Sequence, residues 1–398
     1  MNIAIVVNSL KTGGMERVAV NLAFSFHEEG YATDLIYLKN IPKALPIKNN
    51  SLPIHLFDLK KGVFKTGIGL LWFVTCKVLN VFLKKTFPLF FAYAEAKIFR
   101  RKLRLLETKN GKPFDLIIFR GQGTFAHIWP LQDPRFIFVC ESIQNNNMYG
   151  KLSSWVFTNL YKNRNVVTVS VGAMDSFIDL ITHHGISPNK VKQLNNPNDL
   201  EQIKVDSEKS VSYLNSQHKP FILGLGRLVK GKNFPLLIDA YAYAREHYKL
   251  QHNLIIVGEG KERQNIEIHI KNKQLEKCVF LVGNQSNPFP WYKHAELFVL
   301  SSKAEGLGMV LLEALSCQTK VVSTDCKGGV RQIMNGLLEP FLSEESPKSL
   351  ADKIVFALEH EEDQTFTRFI DQTLDKFSGK EITKQYIEEF SVQGYTAH

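Results

Sequence analysis

Short aliphatic runs alternate with helix-length amphipathic stretches along almost the whole chain, and few folds accept that order. Ile3–Val7, Thr33–Leu38, Leu116–Phe119, Phe136–Cys140 and Val166–Val169 read as strands of one parallel sheet. Phe221–Leu225, Asn253–Val257, Val279–Val282, Leu297–Leu300 and Lys320–Ser323 read as strands of a second. Strands alternating with helices signal a doubly wound α/β architecture. The length of 398 residues suits two to three domains. Asn195-Asn196-Pro197-Asn198-Asp199 is a turn signal with no helical future, and a polar stretch follows to about Lys219. The domain boundary is placed there, giving domains of residues 1–195 and 196–377. Phe377-Ser378-Gly379-Lys380-Glu381 then fits a capping box, with Ser378 as N-cap and Glu381 at N3. A last helix is expected within 378–398, through Ile382, Tyr386, Ile387 and Phe390.

The net charge of +10 is concentrated in one place. Residues 60–104 hold eleven Lys or Arg and a single acid, Glu95, so the remainder is balanced. That distribution points to one local basic surface and away from a nucleic-acid-coating protein. Within it, Gly67–Leu83 is 17 residues long and carries Lys77, which is marginal for a membrane span. As a helix it places Leu71, Trp72, Thr75, Val78, Leu79, Phe82 and Leu83 on one side, with Lys77, Asn80, Lys84 and Lys85 leaning to the other. A second helical stretch after Pro88 ends in Arg100-Arg101-Lys102. Such a pair reads as a segment lying on an anionic bilayer. A core-facing helix pair with a solvated basic face is the competing reading. Met1–Val7 reads as a first strand and not as a secretory leader, and Cys76, Cys140, Cys278, Cys317 and Cys326 show no zinc spacing. Reduced thiols in a cytoplasmic protein are the expectation.

Most of the chemistry is expected around Ser302–Glu313. Glu305 follows a buried strand, Gly306-Leu307-Gly308-Met309 opens a helix, and Glu313 lies eight positions on. Amides at a helix N-terminus attract phosphate. Glu305 is expected in the strand-to-helix loop, with Glu313 on nearly the same helical face but deeper, one acid for a sugar and the other for a ribose. In Gly224-Leu225-Gly226-Arg227-Leu228-Val229-Lys230-Gly231-Lys232-Asn233, Arg227 and Lys232 flank a glycine loop at a strand end, where two cations can hold a diphosphate leaving group. Gly283 and Asn284 end a further strand. Gly13 and Gly14 join the first strand to its helix, a place where paired glycines let a bulky anion approach the backbone. Arg120, His127 and Glu141 are candidates on the acceptor side. No Asp-x-Asp occurs, so phosphate charge is expected to be met by Arg, Lys and helix dipoles and not by magnesium.

These residues resemble the GT-B glycosyltransferases, specifically the large retaining family 4. Glu305 and Glu313 match its E-x7-E motif, Gly226-Arg227 with Lys232-Asn233 its diphosphate loop, and Gly13-Gly14-Met15-Glu16 its N-terminal glycine loop. Asn196-Pro197 resembles its hinge and Phe377-Ser378 onward its final helix. The resemblance implies two Rossmann-like domains facing across a cleft, the first binding acceptor and the second nucleotide-sugar. It also implies a last helix that packs back on the first domain. By the same resemblance Arg227 and Lys232 hold the donor diphosphate, Glu313 the ribose, and Glu305 the transferred sugar. Gly306, Leu307, Gly308 and Met309 offer amides to phosphate or sugar, Gly283 and Asn284 meet the base, and Gly14 approaches the β-phosphate. Two departures stand out. Phe119-Arg120-Gly121 lacks the histidine that many relatives carry there, and Gly329-Val330-Arg331-Gln332 stands where relatives often read Pro-Arg-Glu.

The expected activity is therefore a metal-independent retaining transfer of a hexosyl or N-acetylhexosaminyl group, with no cofactor. The donor is expected to be a UDP-sugar and the acceptor a saccharide, lipid-linked or part of a lipopolysaccharide. The site of action is expected to be the cytoplasmic face of the inner membrane. A catalytically silent sugar-nucleotide-binding subunit is the alternative. A dinucleotide oxidoreductase is disfavoured, because the Gly-x-Gly-x-x-Gly fingerprint is missing.

Overall fold

The computed structural model of the chain describes residues 1–10, 14–39, 41, 52–82, 87–210 and 220–391. Ile3–Val7 are completely buried, and alternate residues of that run serve opposite faces of a sheet. Ile3, Ile5 and Val7 pack with Leu22 and Phe26, whereas Ala4 and Val6 pack with Ala92, Ala96 and Phe99. The strand is thus the centre of a three-layer unit. Its sheet contains β1 (Asn2–Ser9), β2 (Ala32–Lys39), β3 (Ile54–Leu56), β4 (Leu116–Arg120), β5 (Phe136–Cys140), β6 (Asn165–Thr168) and β7 (Lys190–Gln193). Their order is β3-β2-β1-β4-β5-β6-β7, every neighbouring pair parallel. Four helices come early in this unit: α1 (Gly14–Glu28), α2 (Leu59–Phe64), α3 (Gly69–Phe82) and α4 (Phe87–Asn110).

The chain divides into two compact units, one of Met1–Pro197 together with the chain from Gly379 onward, the other of Asn198–Ser378. The last helix, Gly379–Phe390, packs on α1, with the rings of Phe26 and Tyr386 edge to face at 6.1 Å. Lys190 and Lys192 of β7 each reach Glu389 at 2.9 Å.

The second unit holds β8 (Phe221–Leu225), β9 (Asn253–Val257), β10 (Val279–Gly283), β11 (Leu297–Leu300), β12 (Ala304–Glu305), β13 (Lys320–Thr324), β14 (Lys327–Gly328) and β15 (Leu342–Ser343). Six of them form a parallel sheet in the order β10-β9-β8-β11-β13-β15, and β12 pairs with β14 alone. In both units the strand order reverses beside the first strand, between β1 and β4 and between β8 and β11. Doubly wound sheets bind ligands outside the carboxyl ends of the strands at that reversal.

Several elements differ from the sequence reading. β3, β7, β12, β14 and β15 are two to four residues long, too short for a periodic signal. Helix α4 does not stop at Lys102 but continues to Asn110. In α3 the expected stripe divides. Trp72 is half-buried and packs inward, while Leu71, Thr75, Val78 and Phe82 face outward. Leu83, Lys84 and Lys85 lie outside the described residues, as do Gly13 and residues 392–398.

Candidate functional site

The loops that leave β8, β9 and β11 are stitched together by backbone hydrogen bonds, and this fixes where their side chains emerge. The Gly226 amide donates to the Val257 carbonyl at 3.0 Å, and the Leu228 amide to Glu259 at 2.9 Å. The Lys303 amide donates to Gly231 at 2.9 Å, and Ser301 Oγ donates to the Lys232 carbonyl at 2.9 Å. The lysine loop is thereby held against the end of β11.

Lys232 Nζ then lies 2.6 Å from Glu305 Oε1, and both side chains are largely buried. Ser302 Oγ donates to the same carboxylate oxygen. Glu305 lies in the connection from β11 to the next helix, as expected, but that connection is not wholly irregular. Glu305 belongs to β12, which pairs with β14 through Glu305 and Gly328, and the Gly329 amide donates to the Glu305 carbonyl at 3.3 Å. Gly328 has φ 120°, and a Cβ there would lie 1.6 Å from the Glu305 carbonyl oxygen, so only glycine lets the two backbones approach this closely.

Gly308 (φ 91°) is the left-handed N-cap of the helix Met309–Ser316, whose first amides open beside Glu305 in sequence. Because this helix begins at Met309, Glu305 and Glu313 do not share a helical face. That expectation is corrected, since Glu305 itself belongs to a short strand and a bend separates it from the helix. Glu313 Oε2 instead accepts from the hydroxyl of buried Tyr292 at 3.0 Å. Gly306 is half-buried, Leu307 and Gly308 are buried, and Met309 is half-buried at the helix start. Arg227 is exposed on the same loop as Lys232. Gly283 ends β10 with φ 76°, its carbonyl accepting from the Gly258 amide at 2.9 Å, and Asn284 beyond it is exposed.

In the first unit, Gly14 is exposed at the start of α1, after β1. Arg120 ends β4 and is fully buried. It lies 2.7 Å from Glu141 at the end of β5 and donates to Asn196 Oδ1 at 2.6 Å. Burial holds the Glu141 carboxyl above its usual range even against the pull of Arg120. His127 does not join this pair. Its Nδ1 lies 2.7 Å from Glu95 of α4. Arg120 and Glu141 therefore come together, and His127 stays apart.

The sequence reading missed Tyr292, Gly328 and the role of Ser302. A Gly-Gly pair after a strand, Gly328-Gly329, was a signal for the second. A tyrosine in an apolar helix gives none. Among the described residues no group of three or more His, Cys, Asp or Glu has the arrangement to hold a metal ion.

Residues 205–372 match the family described as glycosyl transferases group 1. Over 188 residues, 47% of this chain and 49% of the relative, the sequence is 35% identical to N-acetylgalactosamine-N,N'-diacetylbacillosaminyl-diphospho-undecaprenol 4-alpha-N-acetylgalactosaminyltransferase of Campylobacter jejuni. Over 256 residues, 60% of this chain and 62% of the relative, it is 29% identical to an uncharacterized glycosyltransferase of Methanocaldococcus jannaschii. The matched stretch thus spans about half the length of the first relative and about three fifths of the second. The fold also matches the crystal structure of Anabaena HepE in complex with UDP and glucose, with a TM-score of 0.72 at 19% identity over 98% of this chain and 99% of that one. Most of the second unit thus matches the glycosyl transferases group 1 family, and the chain has the GT-B fold.

Proposed function

We propose that this chain is a retaining glycosyltransferase that moves a sugar from a UDP-linked donor to a hydroxyl of a lipid-linked or lipopolysaccharide-type glycan. The single observation that carries the reading is the Lys232–Glu305 pair, built at the carboxyl ends of β8 and β11 where the strand order reverses. Lys232 and Arg227 take the diphosphate, and the amides opening the helix at Met309 add further positive potential. Stabilising the departing diphosphate lowers the barrier most, because that is where negative charge develops. In this reading Glu305 holds the transferred sugar and Glu313 the ribose. Retention follows from attack on the face that the diphosphate leaves, with the leaving phosphate oxygen taking the acceptor proton.

The charge on the diphosphate is met by side chains and amides, so no metal or cofactor is assigned a step. The Campylobacter relative, named for a diphospho-undecaprenol substrate, supports a lipid-linked acceptor. Such an acceptor, together with the basic segment 60–104, favours peripheral action on the cytoplasmic face of the inner membrane.

The test is a donor panel of UDP-Glc, UDP-Gal, UDP-GlcNAc, UDP-GalNAc and GDP-Man with a lipid-diphosphate-linked glycan, in EDTA. Release of nucleoside diphosphate with a product of unchanged anomeric configuration supports the reading. Donor binding without release from any of them would identify a silent subunit instead, and inversion at the anomeric carbon would remove the proposed mechanism.

A further inference from the structure

Helix α3 has two apolar faces, and only one is covered. Gly69, Trp72, Phe73 and Cys76 turn toward α2 and α4, where they join Val63 and Phe91 in a small core separate from the main ones. Phe73 meets Phe91 edge to face at 5.8 Å. On the opposite side Leu70, Leu71, Val74, Val78, Val81 and Phe82 are exposed to between 50% and 79%. At 3.6 residues per turn these six fall within an arc of about 120°. Scattered exposed leucines are ordinary in soluble proteins, but a continuous apolar face of this kind marks an interaction surface.

Its occupant follows from charge and length. Exposed Lys60, Lys61, Lys65 and Lys77 lie on α2, on α3 or between them, and the one acid in residues 60–104, Glu95, is buried against His127. Lys60 and Lys77 lie over the Phe73 ring at one edge of the apolar face, and a cationic edge of this kind suits an anionic partner. It opposes a second copy of the chain, which would bring the same lysines face to face. The 14 residues of α3 extend about 21 Å, short of a bilayer's apolar core of about 30 Å. Among the described residues no helix is long and apolar enough to cross a membrane.

We infer that α3 is an in-plane membrane anchor. Its Leu71–Val74–Val78–Phe82 face enters the acyl boundary of an anionic bilayer, and the neighbouring lysines meet lipid phosphates. This rests on, and deepens, the reading of a lipid-linked acceptor, because the helix would hold the first unit at the surface where such an acceptor lies. Leu71, Val78 and Phe82 of this face belong to the stripe read from the sequence, whereas Trp72 turns to the covered side.

The experiment is flotation of the full chain with vesicles of phosphatidylglycerol and phosphatidylethanolamine, and with vesicles of phosphatidylcholine alone. The wild type is expected to float with the anionic vesicles, and added salt is expected to weaken binding. Val74→Glu with Val78→Glu should lower vesicle binding at least tenfold, and Trp72→Phe, on the covered face, should leave it unchanged. UDP binding and thermal stability of the Glu variant, both expected to match the wild type, show that it is folded. Equal flotation of wild type and Glu variant overturns the inference. So does a wild-type chain that ignores vesicles and forms a dimer that the Glu variant dissociates. A water-soluble acceptor fragment separates this from the transferase reading. Turnover that survives in the Glu variant with lost flotation supports both, whereas flotation without turnover from any donor leaves the anchor standing and removes the activity.

Discussion

Lys232 and Glu305, 73 residues apart in sequence, meet as an ion pair at 2.6 Å. Each comes from a different strand end, and each is held by backbone and not by its partner alone. The lysine loop is tied to the end of β11 through Ser301 and Lys303, and Glu305 is tied to Gly328 and Gly329. The pair is thus positioned before any ligand arrives. A diphosphate would offer Lys232 a second acceptor and leave Glu305 Oε1 with the Ser302 hydroxyl.

If the two residues act as one unit, their substitutions should not add. Lys232→Ala and Glu305→Ala are each expected to lower kcat by about 10²-fold or more, the scale of losing one preorganised contact. The double variant should fall little further than either single one. Steady-state rates over a double-mutant cycle check this. Multiplicative losses would show two independent roles.

Glu313 is held by Tyr292, so a ribose contact at Glu313 would depend on that hydroxyl. Tyr292→Phe should raise KM for the donor about three- to tenfold with a smaller change in kcat, the effect of loosening one hydrogen-bonded carboxylate. A donor lacking the ribose hydroxyls should bind the wild type weakly and gain nothing from Glu313. Glu313→Ala should therefore discriminate little between the two donors. Competition binding with ribose-modified UDP measures it.

The sheets were legible in the sequence because their strands are buried runs of four or five aliphatic residues. Phe136–Cys140, Phe221–Leu225, Asn253–Val257 and Leu297–Leu300 occupy the expected residues. Arg227, Lys232, Glu305 and Glu313 stood out in the sequence as charged residues beside glycine loops, and the structure brings Lys232 to Glu305. What the sequence hid is tertiary. β12 and β14 are two residues each, so Glu305 read as loop. Tyr292 reaches Glu313 only because two helices pack side by side. The face of α3 was legible only in part, Leu71, Thr75, Val78 and Phe82 facing outward and Trp72 inward, because nearly every residue of that helix is apolar and periodicity cannot choose between two apolar faces.

Gly328 supports Glu305 through backbone pairing. A methyl group there meets the Glu305 carbonyl, so Gly328→Ala must separate β12 from β14. The expected cost is about 1–3 kcal/mol of stability in the second unit, with activity falling more than tenfold at a temperature where the variant is folded. Thermal unfolding together with kcat decides it, and a variant of wild-type activity would show that β14 does not position Glu305.

Burial sets the chemistry of three thiols. Cys140, Cys317 and Cys326 are each pushed up to about 12, chiefly by desolvation, with the nearby carboxylates Glu141, Glu313 and Glu305 respectively adding to the shift. A raised value favours the neutral thiol, and alkylation needs the thiolate. At pH 8 these three should react with iodoacetamide about 10³-fold more slowly than an unperturbed thiol. Their rates should rise roughly tenfold per pH unit while the fold holds. The same sign makes alkaline pH work against the structure. The stability these thiols contribute is fully present below the unfolded value of about 8.5 and is lost as pH rises toward 12. Peptide-resolved labelling of native and denatured protein tests the first expectation, and thermal unfolding across pH 8 to pH 10 tests the second. Rapid native labelling of Cys326 would mean that the neighbourhood of Glu305 and Lys232 is open to water.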